Sequence, residues 1–271
     1  MPSSRSASPI SPNSEPQSAA GRPRLAHPVL AFAVKLALAP LLVTQALRTR
    51  RRAPVLPEAA GRRDGLAGQG EGPPLRVLVA GDSSAAGVGV AHQDQAVIGH
   101  LVRTLAAHRP GPIEWRLCAR TGLTTRAVHR LLHAAPPPPA AVAVVVTGVN
   151  DVIEQVPVRR ALAHRRALAD WLLGEGLAGH VVFAPLPPMH QFPLLPEPLR
   201  RILGGDARRH DQALARWAAT RDDVSVATIA LALTPETMAS DGFHPGEPVY
   251  RACGEALGLH IARRPWPDRR P

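Results

Sequence analysis

From residue 73 onward, short apolar runs alternate with longer segments in which apolar residues recur at helical spacing. The short runs have the length of β-strands and the longer segments that of α-helices. The strand candidates are 75–80, 113–118, 141–147, 180–184 and 224–228, and the helical patterns lie near 93–108, 124–134, 158–173, 198–219 and 246–262. Such alternation is typical of right-handed β-α-β crossovers. We therefore predict a three-layer, flavodoxin-like α/β domain with a five-stranded parallel sheet over residues 73–264.

The segments outside this domain differ from it in composition. Residues 1–24 are rich in Ser, Pro and Ala without periodicity and are predicted to form a disordered tail. Residues 25–52 are predicted to form an N-terminal hydrophobic helix with a basic C-terminal flank. Residues 53–72 combine Pro, Gly and charge in no regular pattern and are predicted to be a linker. Residues 265–271 are predicted to be a C-terminal tail.

The apolar stretch 29–47 is long enough, at about 28 Å of helix, to match the hydrocarbon thickness of a bilayer. Lys35, Pro40 and the Thr44-Gln45 pair argue against a spanning helix, and a cleavable signal peptide fits badly because the basic cluster follows the apolar run. The four arginines between positions 48 and 52 favour a cytoplasmic main domain, with residues 29–47 as a candidate attachment to the inner face of the membrane. Whether this stretch spans the bilayer, lies on it or packs on the protein itself stays open.

The net charge of +11 does not indicate a nucleic-acid partner. Residues 1–72 carry +6 and the remaining residues +5, and Lys35 is the only lysine, so the excess reflects an arginine-rich composition. Aromatic residues make up only 3% of the chain, too few for base-stacking surfaces. We expect no nucleic-acid binding, and the sequence leaves the oligomeric state open.

Chemically competent residues follow several of the predicted strands. Ser83 follows the first strand, Gly122 the second and Asn150 the third, while Asp241 and His244 lie in a loop beyond the fifth. Because the carboxyl ends of parallel strands meet at one edge of the sheet, we expect these residues to share that edge.

These residue types suit acyl transfer. A serine hydroxyl needs a base within hydrogen-bond reach, and the base needs an orienting acceptor. We predict Ser83 as nucleophile, His244 as base and Asp241 as the group that orients His244. The Ser83 and Gly122 N–H groups and the Asn150 side-chain amide are the predicted donors to a developing oxyanion. Asp82 and Asp151 are interpreted as structural residues that brace turns.

In this order, the residues resemble the motif blocks of the SGNH hydrolases, also called the GDSL esterase/lipase family. The blocks read Gly81-Asp82-Ser83, Gly122, Gly148-Val149-Asn150-Asp151 and Asp241-Gly242-Phe243-His244, and the resemblance spans residues 75 to about 262. Ser84 stands where the family name has leucine. The resemblance implies a flavodoxin-like fold, a serine mechanism without metal or cofactor, and hydrolysis of a small-molecule or lipid ester.

The loop after the fourth strand is a candidate substrate wall. It is too rich in proline for regular structure and carries Met189, Phe192, Leu194 and Leu195. Long loops at this edge of a sheet often bind ligands, so we predict that these four residues line an apolar acyl pocket. Packing over the sheet edge is the alternative.

Three other interpretations of the sequence compete with the prediction of a hydrolase. The glycines after Gly81 could form a phosphate loop of a nucleotide-binding protein, but the G-x-G-x-x-G spacing fails and no lysine follows. His129 and His133 have the i, i+4 spacing of a zinc pair but lack a third ligand, and we predict no metal site. A membrane-associated binding protein that has lost activity on the same fold remains the alternative function.

Overall fold

The computed structural model describes residues 33, 35–264 and 266. The chain divides into two units, Met1–Ala39 and Pro40–Pro271. The predicted tail at 1–24, residues 29–32 of the apolar stretch and most of the predicted tail at 265–271 lie outside the described residues. No helix of the described residues combines the length and the apolar character that crossing a bilayer requires.

A six-stranded sheet forms the centre of the second unit. Its strands are β1 (Asp64–Ala67), β2 (Leu75–Gly81), β3 (Ile113–Ala119), β4 (Ala140–Val146), β5 (Ala178–Phe183) and β6 (Val224–Val226), in the spatial order β1-β3-β2-β4-β5-β6. All five predicted strands are present and parallel. The sixth strand, β1, pairs with β3 in the antiparallel direction and comes from the segment predicted to be a linker. With four residues, β1 is too short to show a periodicity in the sequence.

Helices cover both faces of this sheet. The helical segments are α1 (Ala39–Arg52), α2 (Val97–His108), α3 (Thr125–Ala134), α4 (Val149–Ile153), α5 (Val158–Gly174), α6 (Leu199–Ala218) and α7 (Glu247–Ala262), with short 3-10 helices at Gln93–Gln95 and Met189–Gln191. Helix α1 has no buried residue. The alternation of side chains along each strand explains the two core layers. On β2, Val77 and Val79 pack with α2 and α7, whereas Leu78 and Ala80 pack with α3, α5 and α6. The predicted three-layer α/β fold is confirmed.

The segment predicted to be a linker is held against the domain. Ala59 N–H donates to the Ala86 carbonyl at 3.2 Å, and Gln93 N–H donates to the Ala60 carbonyl at 2.8 Å. The Gln93 side chain, which is buried, donates to the carbonyls of Ala59 and Ala86, both at 3.0 Å. These bonds attach the segment to the turn that follows β2.

The order of the strands fixes where a site can form. The chain passes from β2 to β3 on one side and then returns to place β4 on the other side of β2. Such a reversal opens a crevice at the carboxyl ends of the strands. Gly81, the last residue of β2, lies opposite Ala119 of β3 and Val146 of β4. The loops after these three strands therefore begin side by side.

Candidate active site

The turn after β2 presents Ser83 at the carboxyl edge of the sheet. A Cβ at Gly81 would lie only 2.3 Å from the Val146 carbonyl oxygen, so glycine lets β2 and β4 approach closely where the turn begins. The Asp82 carboxylate accepts the Ser84 N–H at 3.0 Å and closes the turn, as predicted for a bracing residue. Ser83 is buried apart from a small exposed fraction of 8%. Its hydroxyl therefore points into a confined space.

His244 lies on a short loop that Asp241 shapes. One carboxylate oxygen of Asp241 accepts the backbone N–H groups of Phe243 and His244, both at 2.9 Å. The other lies 2.6 Å from His244 Nδ1. Asp241 thus holds both the backbone and the imidazole ring of His244 in place, just before helix α7 begins at Glu247.

The structure brings Ser83, His244 and Asp241 into one hydrogen-bonded chain. His244 Nε2 lies 3.1 Å from Ser83 Oγ, although the two residues are 161 positions apart in the sequence. When Nδ1–H donates to Asp241, Nε2 is the acceptor for the Ser83 hydroxyl proton. This is the geometry in which an imidazole can act as a base toward a hydroxyl group.

The surroundings of Asp241 keep it ionised. Burial alone would raise the pKa of this carboxyl, but hydrogen bonds from the His244 side chain and from the His244 and Phe243 backbone outweigh it and hold the pKa below its ordinary value. A carboxylate in this position favours a positive charge on the neighbouring imidazole. Asp82 behaves in the opposite way, because burial raises its pKa to about 7.

Gly122 lies three positions after the end of β3, and Asn150 lies in the first turn of α4, four positions after the end of β4. Gly122 has a positive φ of 79° and no atom within 4 Å of an added Cβ, so its backbone faces open space. Asn150 donates one amide hydrogen to the Leu123 carbonyl at 3.0 Å, which orients the amide and leaves its second hydrogen unused. Among the described residues, neither the Ser83 nor the Gly122 N–H has an acceptor. These groups have no hydrogen bond to Asp241 or His244, and their predicted role toward an oxyanion stays a prediction.

The predicted substrate wall requires a correction. Met189, Phe192 and Leu195 are buried in a core cluster with residues of α6, so their side chains pack inside the protein and are not available to a ligand. Leu194 is half-buried, and its N–H donates to the Gly242 carbonyl at 3.0 Å. Of the four, only Leu194 is exposed enough to contact a ligand, and its predicted place in an acyl pocket stays a prediction. The other three pack in a cluster that contains residues of α6 and no residue of a strand.

Two supports of the site have no signal in the local sequence. The first is Glu58, whose carboxylate accepts the Thr121 N–H at 2.7 Å and the Thr121 hydroxyl at 2.9 Å. Arg63 donates both to Glu58 and to the Ala119 carbonyl. Burial would raise the pKa of Glu58, but these hydrogen bonds lower it overall. The segment that contains Glu58 and Arg63 thus holds the loop that carries Gly122.

The second support is Arg165 on α5, which is fully buried beneath the loop that carries Asn150. A Cβ at Gly148 would lie 2.1 Å from Arg165 Nη2, and Gly148 has a φ of 124°, so the loop backbone rests directly on the guanidinium group. Burial lowers the pKa of Arg165, while the nearby Asp151 and Asp211 carboxylates oppose this. Asp151 also accepts the Thr125 hydroxyl at the start of α3, which confirms its predicted bracing role.

His129 and His133 are explained by packing. Their rings lie 5.3 and 5.6 Å from the ring of Trp171 on the neighbouring helix α5. Burial lowers the pKa of His129, as expected for an imidazole that packs against aromatic and apolar groups.

Residues 79–252 of the chain match the model of a protein family, the GDSL-like lipase/acylhydrolase family. No curated protein matches the sequence. Among solved structures, a member of the lipolytic protein G-D-S-L family from Veillonella parvula DSM 2008 is similar at a TM-score of 0.52 and 14% identity, covering 70% of this chain and 99% of that one. The psychrotrophic esterase EstA from Pseudoalteromonas sp., in a structure inhibited by monoethylphosphonate, is similar at a TM-score of 0.50 and 17% identity, covering 69% and 98%. At these identities the similarity shows a shared fold.

Proposed function

Because the chain belongs to the GDSL-like lipase/acylhydrolase family, we propose that it is a serine ester hydrolase that cleaves carboxylic esters through an acyl-enzyme intermediate. The main support for this proposal is the series of hydrogen bonds that links Ser83, His244 and Asp241. Ser83 Oγ lies 3.1 Å from His244 Nε2, and His244 Nδ1 lies 2.6 Å from Asp241. We assign these three residues as a catalytic triad.

In the first half of the proposed reaction, Ser83 Oγ attacks the ester carbonyl carbon while His244 Nε2 takes the hydroxyl proton. The tetrahedral intermediate carries a negative charge on the former carbonyl oxygen. The Ser83 N–H, the Gly122 N–H and the free hydrogen of the Asn150 amide are the proposed donors to it. The C–O bond to the leaving alcohol then breaks, and the protonated His244 gives its proton to that alcohol. Ser83 is left acylated.

In the second half, water replaces the alcohol. His244 takes a proton from the water molecule, whose oxygen attacks the acyl carbon, and the same donors stabilise the second oxyanion. Collapse of this intermediate breaks the bond to Ser83 Oγ, which regains its proton from His244, and the carboxylic acid leaves. Asp241 stabilises the imidazolium form of His244 in both halves, which is why its ionised state matters.

The proposed substrate is a small-molecule or lipid ester whose acyl chain lies along the loop that contains Leu194. Phe243 lies between this loop and the base, with ring centroids 5.1 Å from Phe192 and 5.2 Å from His244. Because Phe192 is buried, the apolar surface beside the imidazole is that of the half-buried Phe243 and, along the loop, of Leu194. Apolar acyl groups gain about 0.8 kcal/mol for each buried CH₂ group, so such a surface favours esters with apolar acyl chains.

Replacement of the proposed nucleophile tests this function. In Ser83→Ala, we expect the initial rate of hydrolysis of p-nitrophenyl acetate and p-nitrophenyl butyrate to fall by at least about a thousandfold, because no acyl-enzyme can form. The far-UV circular dichroism spectrum should stay unchanged. Ser84→Ala is the matched control, since its side chain is next in sequence and no role is assigned to it, and it should keep the wild-type rate. A Ser83→Ala protein as active as wild type would refute the proposal.

A further inference from the structure

Helix α1 is held in a fixed orientation by contacts on one of its sides. Leu42 packs against the apolar cluster that contains Leu195 and Leu199. Gln45 makes two hydrogen bonds to the same region, donating to the Glu197 carbonyl at 2.7 Å and accepting the Leu199 N–H at 3.3 Å. These contacts determine which side of the helix faces solvent.

The side of α1 that faces solvent carries large apolar side chains. Val43 and Leu47 are 57% and 51% exposed, and at 100° per residue they lie opposite Gln45. Leu41 is also 46% exposed, but it precedes Gln45 by four positions and so lies toward the contact side of the helix, at the edge of the exposed arc. Of the seven large hydrophobic residues that are exposed in the described part of the chain, these three lie on one helix of 14 residues. A concentration of exposed apolar groups on one short element marks an interaction surface.

Arginine continues this surface toward the end of the helix. Arg50 and Arg51 follow Leu47 at positions i+3 and i+4, on the same stripe. Arg48 lies beside this stripe, whereas the exposed Arg52 lies on the Gln45 side of the last turn. The helix contains no acidic residue. No carboxylate of the described residues pairs with any of the four arginines. The surface is therefore apolar in its first half and strongly positive in its second.

We propose that this face of α1 docks the protein on an anionic lipid surface. A helix with apolar residues on the exposed side and arginines beside them lies in the plane of a bilayer, with its apolar side chains at the boundary between headgroups and acyl chains. The arginines then reach the anionic headgroups, to which each contributes attraction. At about 21 Å, a helix of 14 residues lies flat on such a surface.

The docking helix is physically continuous with the loop beside the site. Gln45 of α1 bonds to the residues around Glu197, and the same loop continues back to Leu194, which bonds to Gly242. Gly242 lies two positions before His244. A lipid surface in contact with α1 would thus lie next to the loop along which we propose that the acyl chain lies. This link between the docked lipid surface and the acyl chain rests on the proposed function, whereas the docking itself does not.

Vesicle binding by the full-length protein tests the docking. We expect the wild-type protein to sediment with vesicles of phosphatidylcholine containing about one third phosphatidylglycerol, and much less with phosphatidylcholine alone. The triple variant Leu41→Ser, Val43→Ser, Leu47→Ser should lose binding to both. Replacing Arg48, Arg50, Arg51 and Arg52 by Gln should lower the affinity for anionic vesicles by about fivefold for each arginine. The double variant Val55→Ser, Leu66→Ser changes exposed apolar residues elsewhere and should bind as wild type does.

Three results would overturn the docking proposal. One is the absence of sedimentation of the wild-type protein with anionic vesicles, and another is equal binding by the wild type and the triple Ser variant. The third is a dimer of the wild type in light scattering without vesicles that the triple variant converts to a monomer, because the face would then be covered by a second copy of the chain.

Hydrolysis separates failure of the docking from failure of the proposed function. The triple Ser variant should hydrolyse soluble p-nitrophenyl acetate at the wild-type rate but cleave a long-chain p-nitrophenyl ester in anionic vesicles at least about tenfold more slowly. Vesicle binding without hydrolysis of either ester would refute the esterase and leave the docking in place. Equal rates of wild type and variant on the vesicle-borne ester would refute the link between docking and turnover.

Discussion

At the scale of single residues, the environment of each carboxylate determines its role. Asp241 and Asp82 lie close to the same imidazole, yet hydrogen bonds lower the pKa of Asp241 while burial raises the pKa of Asp82 to about 7. Asp241 is therefore the carboxylate that can support a positive charge on His244. Asp82 is the one whose ionisation the fold opposes, even though it is adjacent to Ser83 in the sequence.

This difference predicts a pH-dependent stability for Asp82→Asn. Unfolded Asp82 loses its proton near pH 4, whereas the folded protein keeps it up to about pH 7. Between these values the folded state binds more protons, so ionisation of Asp82 lowers the free energy of unfolding as pH rises, and the loss is complete above pH 7. Asp82→Asn has no ionisable group at this position, so its free energy of unfolding does not fall in this way. Its stability relative to wild type should rise by on the order of 3 kcal/mol between pH 4.5 and pH 8.

Urea denaturation at pH 4.5, 6 and 8 measures this difference directly. Comparing the variant with wild type removes the contributions of the other titrating groups, including His180 and His210, whose pKa values burial lowers to about 4. The Asn amide oxygen can still accept the Ser84 N–H. Asp94→Asn makes the same substitution at an exposed position and controls for the change from carboxylate to amide itself. A parallel pH course for Asp82→Asn and wild type would show that Asp82 ionises normally.

The site residues that could be predicted from the sequence are those that directly follow a strand or lie close to each other in one loop. Ser83 comes right after β2, and the spacing of Asp241 and His244 allows the carboxylate to reach the ring, so both could be predicted locally. Glu58 accepts a hydrogen bond from Thr121, which is 63 positions away, and no local sequence pattern predicts that contact. Met189 illustrates another limit, because an apolar residue in a proline-rich loop can pack in the core as readily as line a pocket.

At the scale of elements, the packing of α7 on α2 depends on close approach at glycine. A Cβ at Gly254 would lie 2.4 Å from His100 Cβ and 2.8 Å from both Leu101 N and the Val97 carbonyl oxygen. Two of these atoms belong to the backbone of α2, which cannot move aside without shifting the helix. Gly254 thus sets the distance between the two helices on this face of the sheet.

Gly254→Ala should therefore destabilise the protein although alanine is the better helix former. We expect a loss of about 1–3 kcal/mol in the free energy of unfolding, the usual cost of overpacking a core. Chemical denaturation measures it. Gly174→Ala is the matched control, because nothing lies within 4 Å of a Cβ there and α5 ends at that residue, so its stability should be equal or slightly higher. Wild-type stability of Gly254→Ala would contradict the close packing.

The elements themselves were predictable to different degrees. The central strands β2 and β4 are nearly continuous apolar runs because both of their faces are buried, and this pattern is visible in the sequence. Strand β3, next to the edge, alternates buried and half-buried residues with the exposed Glu114 and Arg116. Strand β1 has only four residues, alternates between exposed and half-buried positions, and lies at the sheet edge. Strand β1 is defined by its hydrogen bonds to β3, which lies about 50 residues further along the chain. Such a pairing cannot be predicted from the local sequence of β1.

At the scale of the whole molecule, the domain begins earlier than the change in sequence pattern at residue 73. Residues 58–67 contribute the edge strand, the Glu58 contacts with the Gly122 loop and the bonds of Ala59 and Ala60 to the turn after β2. Helix α1, in contrast, has no buried residue. The composition of residues 53–72 is that of a linker, and only the tertiary contacts show that the segment belongs to the domain.

Two truncations test this boundary. A protein that begins at Ala53 should keep the rate of hydrolysis of p-nitrophenyl acetate and change its Tm by at most about 3 °C, since β1 and Glu58 remain. A protein that begins at Pro73 should lose at least about 5 °C in Tm and hydrolyse the ester more slowly, because the Gly122 loop loses its support. Differential scanning calorimetry and initial rates measure both. Equal behaviour of the two truncated proteins would mean that residues 53–72 are a linker after all.

Covalent labelling tests the central claim most directly, namely that His244 activates the Ser83 hydroxyl. A fluorophosphonate reacts with an activated serine nucleophile, and intact-protein mass followed by peptide mapping counts and locates the adduct. We predict one adduct per chain, on Ser83, retained in Ser84→Ala and lost in Ser83→Ala and His244→Ala. A folded wild-type protein that takes up no label, or takes it up on another residue, would contradict the account.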